Sequence, residues 1–425
     1  MNTKITRSTI LKNVKFAIKK GLLPNGFESA IFFDLDKIAE NIRDITNAFP
    51  KRATHAIAVK TNPLLNILKN NISSDVGCEA ASIEELELAL QAGYSPQAIM
   101  FNSPVKTMDE LMCSLELGAH INIDNLSELN RIKGLIENNS LSQPSIGLRV
   151  NPQIGTGTIK SMSAGGTASK FGLLLNEHKE AIFEAFRNNT WLNCLHVHSG
   201  SQGLSLEKMS EGVKVVYELA VEINNKIGMN RITKIDIGGG LPIAYHENES
   251  TPQISEYVAI LKEKCPTLFK KFEIITEFGR YVYGHTGFTI SKVEYIKESA
   301  NKNVVLTHVG ADLFLRECYN PNDWYHEVSA LSKALSPEVN SNIQEYTIGG
   351  PLCFDGDILR KDIALPVLEE GDYIIIHDTG ANCLNLWSRH CSRRIPKVIG
   401  YSNASNNIFE LKQEESIDDI IRFWS

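Results

Sequence analysis

What the chain has little of sets the first limits. No apolar run approaches the roughly 20 residues needed to span a bilayer. Basic residues are too few to dominate: 43 Lys and Arg stand against 50 Asp and Glu, giving a net charge of −7 and a pI near 5.9. No overall basic surface exists to neutralise phosphates, which argues against a nucleic-acid binder. The eight cysteines are scattered and contain no CxxC pair. That suits reduced thiols in a cytoplasm better than a disulfide framework or a zinc site. The basic opening "MNTKITRSTILKNVKFAIKK" lacks the uncharged core and small-residue cleavage site of a secretory signal; an amphipathic transit peptide is the alternative. The expectation is a cytoplasmic protein that binds neither nucleic acid nor membrane.

What is present is ordinary globular material, 43% hydrophobic and 22% charged, in 425 residues. That length exceeds one ordinary core and accommodates two domains. Short β-rich runs recur: "THAIAV" (54–59), "DVGCEAAS" (75–82), "AIMFNS" (98–103), "HINIDN" (120–125), "IGLRVNP" (146–152), "CLHVHSGS" (194–201), "KIDIGGG" (234–240) and "EIITEFG" (273–279). Most are separated by helical patterns such as "SIEELELALQAG" and "TMDELMCSLELG". Eight such units have the rhythm of a (β/α)8 TIM barrel, with a doubly wound open sheet as the alternative. Beyond about residue 285, runs such as "GFTISKVEYIKES" and "ALPVLEEGDYIIIHD" read as strands joined by turns. The expected layout is an N-terminal segment over 1–34 packing with the β domain, a barrel over 35–285, and a mostly antiparallel β domain over 286–425. A long irregular stretch, 151–172, has the length of a functional loop.

Barrel active sites collect at the C-terminal ends of the strands. Those ends carry Lys60, Glu79, Arg149, His198 with Ser201, Gly238, Gly239 and Gly240, and Glu277 with Arg280. Singly, each has a bland reading: a snorkelling lysine, a hydrogen-bonded histidine, a tight turn, a structural ion pair. Together on one rim they point to one chemistry. A lysine with a pKa lowered by desolvation attacks aldehydes to form a Schiff base. Side-chain-free glycine amides approach a phosphate closely. A histidine lies flat on an aromatic ring, and a carboxylate faces a ring nitrogen. Aldehyde, phosphate and heteroaromatic ring describe pyridoxal 5′-phosphate.

The ordered set "AVKTNP", "CEAASIEELELA", "SKFG", "HVHSGSQ", "DIGGGLP", "EFGRYV", "GPLCFDGD" and "DTGAN" resembles the diaminopimelate/ornithine decarboxylase family, the barrel-fold pyridoxal-phosphate decarboxylases. The resemblance implies a barrel plus a β domain, and a homodimer with shared active sites. It implies that Lys60 is the Schiff-base lysine, that His198 stacks on the pyridine ring, and that Glu277 pairs with its nitrogen. Ser201, Gly238, Gly239, Gly240, Gly279 and Arg280 then bind phosphate, while Glu79, Arg149 and Asn382 line the cofactor site. Cys353 and Asp357 enter the partner subunit's site, with Cys353 as the proton donor. Glu277 favours decarboxylation because an adjacent carboxylate keeps the ring nitrogen protonated; a racemase of the same barrel type has an arginine there. A racemase and a non-catalytic cofactor-binding relative remain the alternatives.

Three departures bear on substrate. Relatives that decarboxylate diaminopimelate read Cys-Glu-Ser where this chain reads Cys353-Phe354-Asp355; their Gly-Ala-Tyr is Gly380-Ala381-Asn382; and the Asp-Ala-Gly expected before Arg316 is instead "HVGADLFLR", beginning at His308. A lost polar partner weakens recognition of the substrate's far end. Arg389, His390, Arg393, Arg394 and Lys397 follow in one cluster. Read as a cationic patch, it suits a carboxylate-rich tail, and the expected substrate is a diamino acid or its carboxylate-rich conjugate, such as a citryl-diamino acid of siderophore biosynthesis. The alternative is diaminopimelate itself. Arg280, Arg316, Phe354, Asp355, Asp357 and Arg389 are the candidate substrate contacts. No metal ligand set is expected.

Overall fold

A computed structural model describes residues 3–139, 145–166, 169–299, 302–336 and 342–425. The chain divides into two compact units: Asn41–Ile243 with Thr251–Val282, and Met1–Glu40 with Ala244–Ser250 and Tyr283–Ser425.

The first unit is a closed parallel barrel. Its strands are β1 (Thr54–Ala58), β2 (Val76–Ala80), β3 (Ile99–Phe101), β4 (His120–Ile123), β5 (Ile146–Asn151), β6 (Leu192–His196), β7 (Lys234–Asp236) and β8 (Glu273–Thr276). Each pairs in parallel with its neighbours, and β8 pairs with β1 to close the ring. A two-residue strand, Leu173–Leu174, adds to the edge of β5. Strands β2 to β5 are buried at every residue, which is why they read as short continuous apolar runs without alternation. The strands are shorter than the β-rich runs in the sequence. β1 ends at Ala58, β6 at His196, β7 at Asp236 and β8 at Thr276, so Lys60, His198, the glycines and Glu277 lie just beyond the strands.

Local signals fix the helices between. Ser82 caps the helix Ile83–Ala92 by accepting from the Glu85 amide. Thr107 and Glu110 form a reciprocal capping box at the start of Met108–Leu117. After β1, a single tight turn over Val59–Thr61 carries Lys60, and the helix Leu65–Asn70 follows.

The second unit is built on a mixed, mainly antiparallel sheet. Gly287–Ser299 is central, pairing with Ser29–Asp34, Lys302–Thr307 and Tyr373–Ile376. Ser29–Asp34 continues in parallel to Lys397–Ser402, and Lys302–Thr307 in parallel to Ile343–Gly349. The helix Arg7–Lys19 supplies Ile10, Val14 and Ala17 to a core with Phe32, Phe288, Ile375 and Ile399. No helix among the described residues is long and apolar enough to cross a membrane.

Candidate active site at the barrel rim

Lys60 sits in the turn after β1, and its side chain keeps 49% of its exposure. Its Nζ donates to Glu79 Oε1 at 2.6 Å, from the end of β2. The sequence suggested a lysine with a lowered pKa; the structure shows the opposite. Burial opposes the charge, but Glu79 and Glu277 outweigh it and raise the Lys60 pKa. Glu79, fully buried, is pushed up to about 7 by burial against the pull of Lys60. The pair therefore holds a proton that Glu79 can take when the amine reacts.

Glu277 directly follows Thr276, the last residue of β8, and is 5% exposed. Asn102 Nδ2 donates to Glu277 Oε1 at 3.1 Å, and His196 Nε2 lies 3.4 Å from Oε2. Burial alone raises Glu277, but His196 and Lys60 pull it down further, so it is an anion. His198 is held neutral, its pKa lowered to about 3 by burial and by Arg149. Its Nδ1 accepts from the Gly239 amide at 3.2 Å, which places the ring proton on Nε2. Arg149 is locked from two sides, with Nη1 3.5 Å from Asp124 Oδ1 and the guanidinium 4.4 Å from the centre of the Phe171 ring. Asp124, Phe171, Asn102 and His196 were not identified from the sequence. His196 carried a signal, since it lies two residues before His198 in one extended run.

The glycine run forms a tight cradle. A Cβ on Gly239 would fall 2.1 Å from Glu277 O, and one on Gly240, at φ +102°, would fall 1.9 Å from Gly200 O. No other residue fits there. The three amides are not equivalent, however: Gly238 donates to Asp236 Oδ1 and Gly239 to His198. The expectation of three phosphate-binding amides narrows accordingly. Ser201 is tied by its amide to Met162 O, so the 151–172 loop crosses this segment; residues 167–168 of that loop lie outside the described residues. Gly279 is pressed against Thr61 of the lysine turn, where a Cβ would meet Oγ1 at 2.0 Å. Arg280 follows, 4% exposed. A charged lysine, a neutral flat histidine, a buried anion, and backbone that admits only glycine fit pyridoxal phosphate.

The sheet unit carries the remaining candidates. Cys353 and Asp355 are exposed, and the Cys353 amide lies 3.4 Å from Cys391 Sγ. Phe354 stacks on His390 with centroids 5.3 Å apart and lies 5.6 Å from Tyr319. Asn382 adopts φ +57°. Arg316 lies 4.6 Å over Trp324. The structure bears on two of these expectations. Asp357, taken as a substrate contact, is 3% exposed, and both its oxygens accept from backbone, Ala311 N and Leu352 N, each at 2.6 Å. Its carboxylate joins two loops. The cluster after Asn382 is not a free cationic patch either. Arg389 makes a bidentate pair with Glu415 at 2.6 and 2.7 Å, Arg394 pairs with Glu414 at 3.2 Å, and Lys397 with Glu410 at 2.8 Å.

Comparison with known proteins agrees with this geometry. Residues 35–284 match the family described as pyridoxal-dependent decarboxylase, pyridoxal binding domain. Residues 242–380 match the C-terminal sheet domain of the same decarboxylases. A diaminopimelate decarboxylase of Helicobacter pylori is 29% identical over 394 residues, 92% of this chain and 94% of that protein. One of Archaeoglobus fulgidus is 30% identical over 370 residues, 86% of this chain and 85% of that protein. The crystal structure of the Helicobacter pylori enzyme complexed with L-lysine superposes with a TM-score of 0.83 at 28% identity, covering 93% of this chain and 96% of that one. The chain belongs to the pyridoxal-dependent decarboxylase family, as a pyridoxal-phosphate lyase acting on amino acids.

Proposed function

We propose that this enzyme removes an α-carboxylate from diaminopimelate, yielding lysine, as a homodimer. The observation that carries the substrate is likeness over more than nine-tenths of the chain to enzymes named for that reaction. Three of the five members of the cationic cluster that favoured a citryl-type conjugate, Arg389, Arg394 and Lys397, are paired with glutamates, which weakens its support.

Bound pyridoxal phosphate supplies the electron sink for the pair left at the α-carbon as CO2 departs. The chain's own residues do the rest. Lys60 would provide the amine for the cofactor aldehyde, and Glu79, bonded to its Nζ, would take up the proton that the amine gives up. Neutral His198 offers a ring face. Glu277, held as an anion in a buried setting, favours a protonated ring nitrogen. Arg149, Ser201, Gly240, Gly279 and Arg280 hold the cofactor. Cys353, on an exposed turn, returns a proton to the α-carbon, and Asp355 takes over the distal contact that Phe354 cannot make.

The test is CO2 release from meso-diaminopimelate, ornithine, lysine and citryl-ornithine by the cofactor-loaded enzyme. Turnover of meso-diaminopimelate should dominate, and Lys60→Ala should abolish it together with the visible absorption band. Efficient turnover of citryl-ornithine with none of diaminopimelate would overturn the substrate assignment. Size measurement in solution checks the dimer.

A further inference from the structure

A buried column of polar groups runs through the barrel beneath Glu277, and no step above uses it. At the start of the strands, opposite the rim, lies a 390 Å³ cavity lined by Thr54, His120, Ser145, Lys234 and Glu273, among others. His120 is 2% exposed at its edge. From there the contacts lead inward: His120 Nδ1 to Ser145 Oγ at 2.8 Å, His120 Nε2 to Asn122 Oδ1 at 3.1 Å, and Asn122 Nδ2 to Asp236 Oδ2 at 2.9 Å. Asp236, with zero exposure, lies beside the Glu277 carboxylate. His196, Asp236 and Glu277 each place a polar atom within 4.8 Å of the others.

The chemistry of each group fixes the direction. Asn122 spends its amide N–H on Asp236, so its oxygen accepts, and His120 must carry its proton on Nε2. Burial lowers the His120 pKa to about 4, so the ring is neutral and its bare Nδ1 accepts from the Ser145 hydroxyl. Every donor in the column therefore points toward Glu277. At the last link two carboxyl groups meet, and a hydrogen bond between them requires one proton. Glu277 faces Asn102, Lys60 and His196, which favour its anion. Asp236 accepts from the neutral amides of Asn122 and Gly238, lies within 4.8 Å of His196, whose own pKa burial lowers, and is buried against a negative neighbour; burial first and then Glu277 raise its pKa well above the ordinary value. Even the packing preserves the column, because a Cβ on Gly147 would fall 2.1 Å from Asn122 Oδ1.

We propose that Asp236 is a neutral carboxylic acid donating to Glu277, the end of a one-way hydrogen-bonded column from Ser145 through His120 and Asn122 that holds Glu277 as the anion for the cofactor ring nitrogen. This rests on the ring-nitrogen role proposed for Glu277. Asp236, Asn122 and His120 are positioning residues.

Infrared spectroscopy of the holoenzyme tests the proton directly, since a protonated carboxyl absorbs apart from carboxylates. The wild type should show such a band that Asp236→Asn removes and Glu79→Gln leaves in place, and His120→Phe, at the far end beside the cavity, should shift it. The cofactor dissociation constant should rise by roughly 10–100-fold in Asp236→Ala, the range for a lost charge-assisted hydrogen bond. Asp236→Asn, whose amide still donates to Glu277, should recover most of that loss. If Asp236→Ala does not fold, His120→Phe and Asp236→Asn still decide. A wild type without the band, or Asp236→Asn as impaired as Asp236→Ala, overturns the column. The band present and mutable, with cofactor binding indifferent to every variant and to Glu277→Gln, supports the neutral acid and instead overturns the ring-nitrogen role.

Discussion

Replacing Asp357 with alanine should destabilise the sheet unit, not merely weaken substrate binding. The carboxylate is 3% exposed and accepts from two backbone amides at 2.6 Å, Ala311 on one loop and Leu352 on the other. Gly310 and Gly350 press against it so closely that a Cβ on either would lie 2.1 and 2.5 Å from its oxygens. Hydrogen bonds to a charged group contribute roughly 1.5–3 kcal/mol each, and unpaired buried donors cost comparable amounts. Two of them put the loss at about 3–6 kcal/mol, with little solvent screening to reduce it. For a domain of this size that corresponds to a fall on the order of 10 °C in unfolding temperature. Asp357→Asn retains one acceptor but turns an N–H toward the other amide, so about half the loss is expected. Calorimetric unfolding of the loaded enzyme, with steady-state kinetics in parallel, separates the two roles. An Asp357→Ala enzyme that unfolds with the wild type while only KM rises would refute the reasoning and return the residue to the substrate.

Other outcomes follow from the same partner geometry. Arg389→Ala breaks a bidentate pair whose members are 21% and 12% exposed, so stability should fall by about 1–2 kcal/mol while KM for every amino-acid substrate stays unchanged; a selective rise for carboxylate-rich substrates would restore the cationic-patch reading. His55 is buried and neutral, its pKa lowered from 6.5 to about 4 by burial. The unfolded chain therefore takes up a proton that the folded barrel refuses, and roughly 3 kcal/mol is lost as pH falls from 6.5 to 4; denaturant titrations at stepped pH should show His55→Gln with a flatter profile over that window. His326 behaves oppositely, because Glu317 at 2.8 Å outweighs burial and raises its pKa well above 6.5. Its contribution is complete below pH 6.5 and is lost as pH rises through the raised value, so the sheet unit's unfolding temperature should decline on the alkaline side, and His326→Gln should remove that decline.

The contrast between Lys60 and Asp357 shows what a sequence carries. Parallel barrel strands are buried on both faces, so eight apolar runs stand out, and the residues following each run fall on one rim by topology alone. Lys60, Glu79, His198 and Glu277 were legible for that reason. Their protonation was not. A lysine at a strand end gives no sign whether its nearest neighbour is apolar wall or Glu79, and the 2.6 Å contact between them reversed the expected shift. Charge runs mislead in the same way. Arg389, Arg394 and Lys397 look like an open cationic surface until Glu415, Glu414 and Glu410 return along an adjoining strand and loop to pair with them. The column from His120 to Asp236 was invisible for a third reason. Its members come from β4 and β7 and meet Glu277 past β8, so no spacing in the chain encodes them. Each of these failures concerns a polar group whose meaning lies in a partner distant in sequence. Apolar periodicity is local and survives in the sequence; the pairing of charges is not, and it decides which of the rim's residues can act.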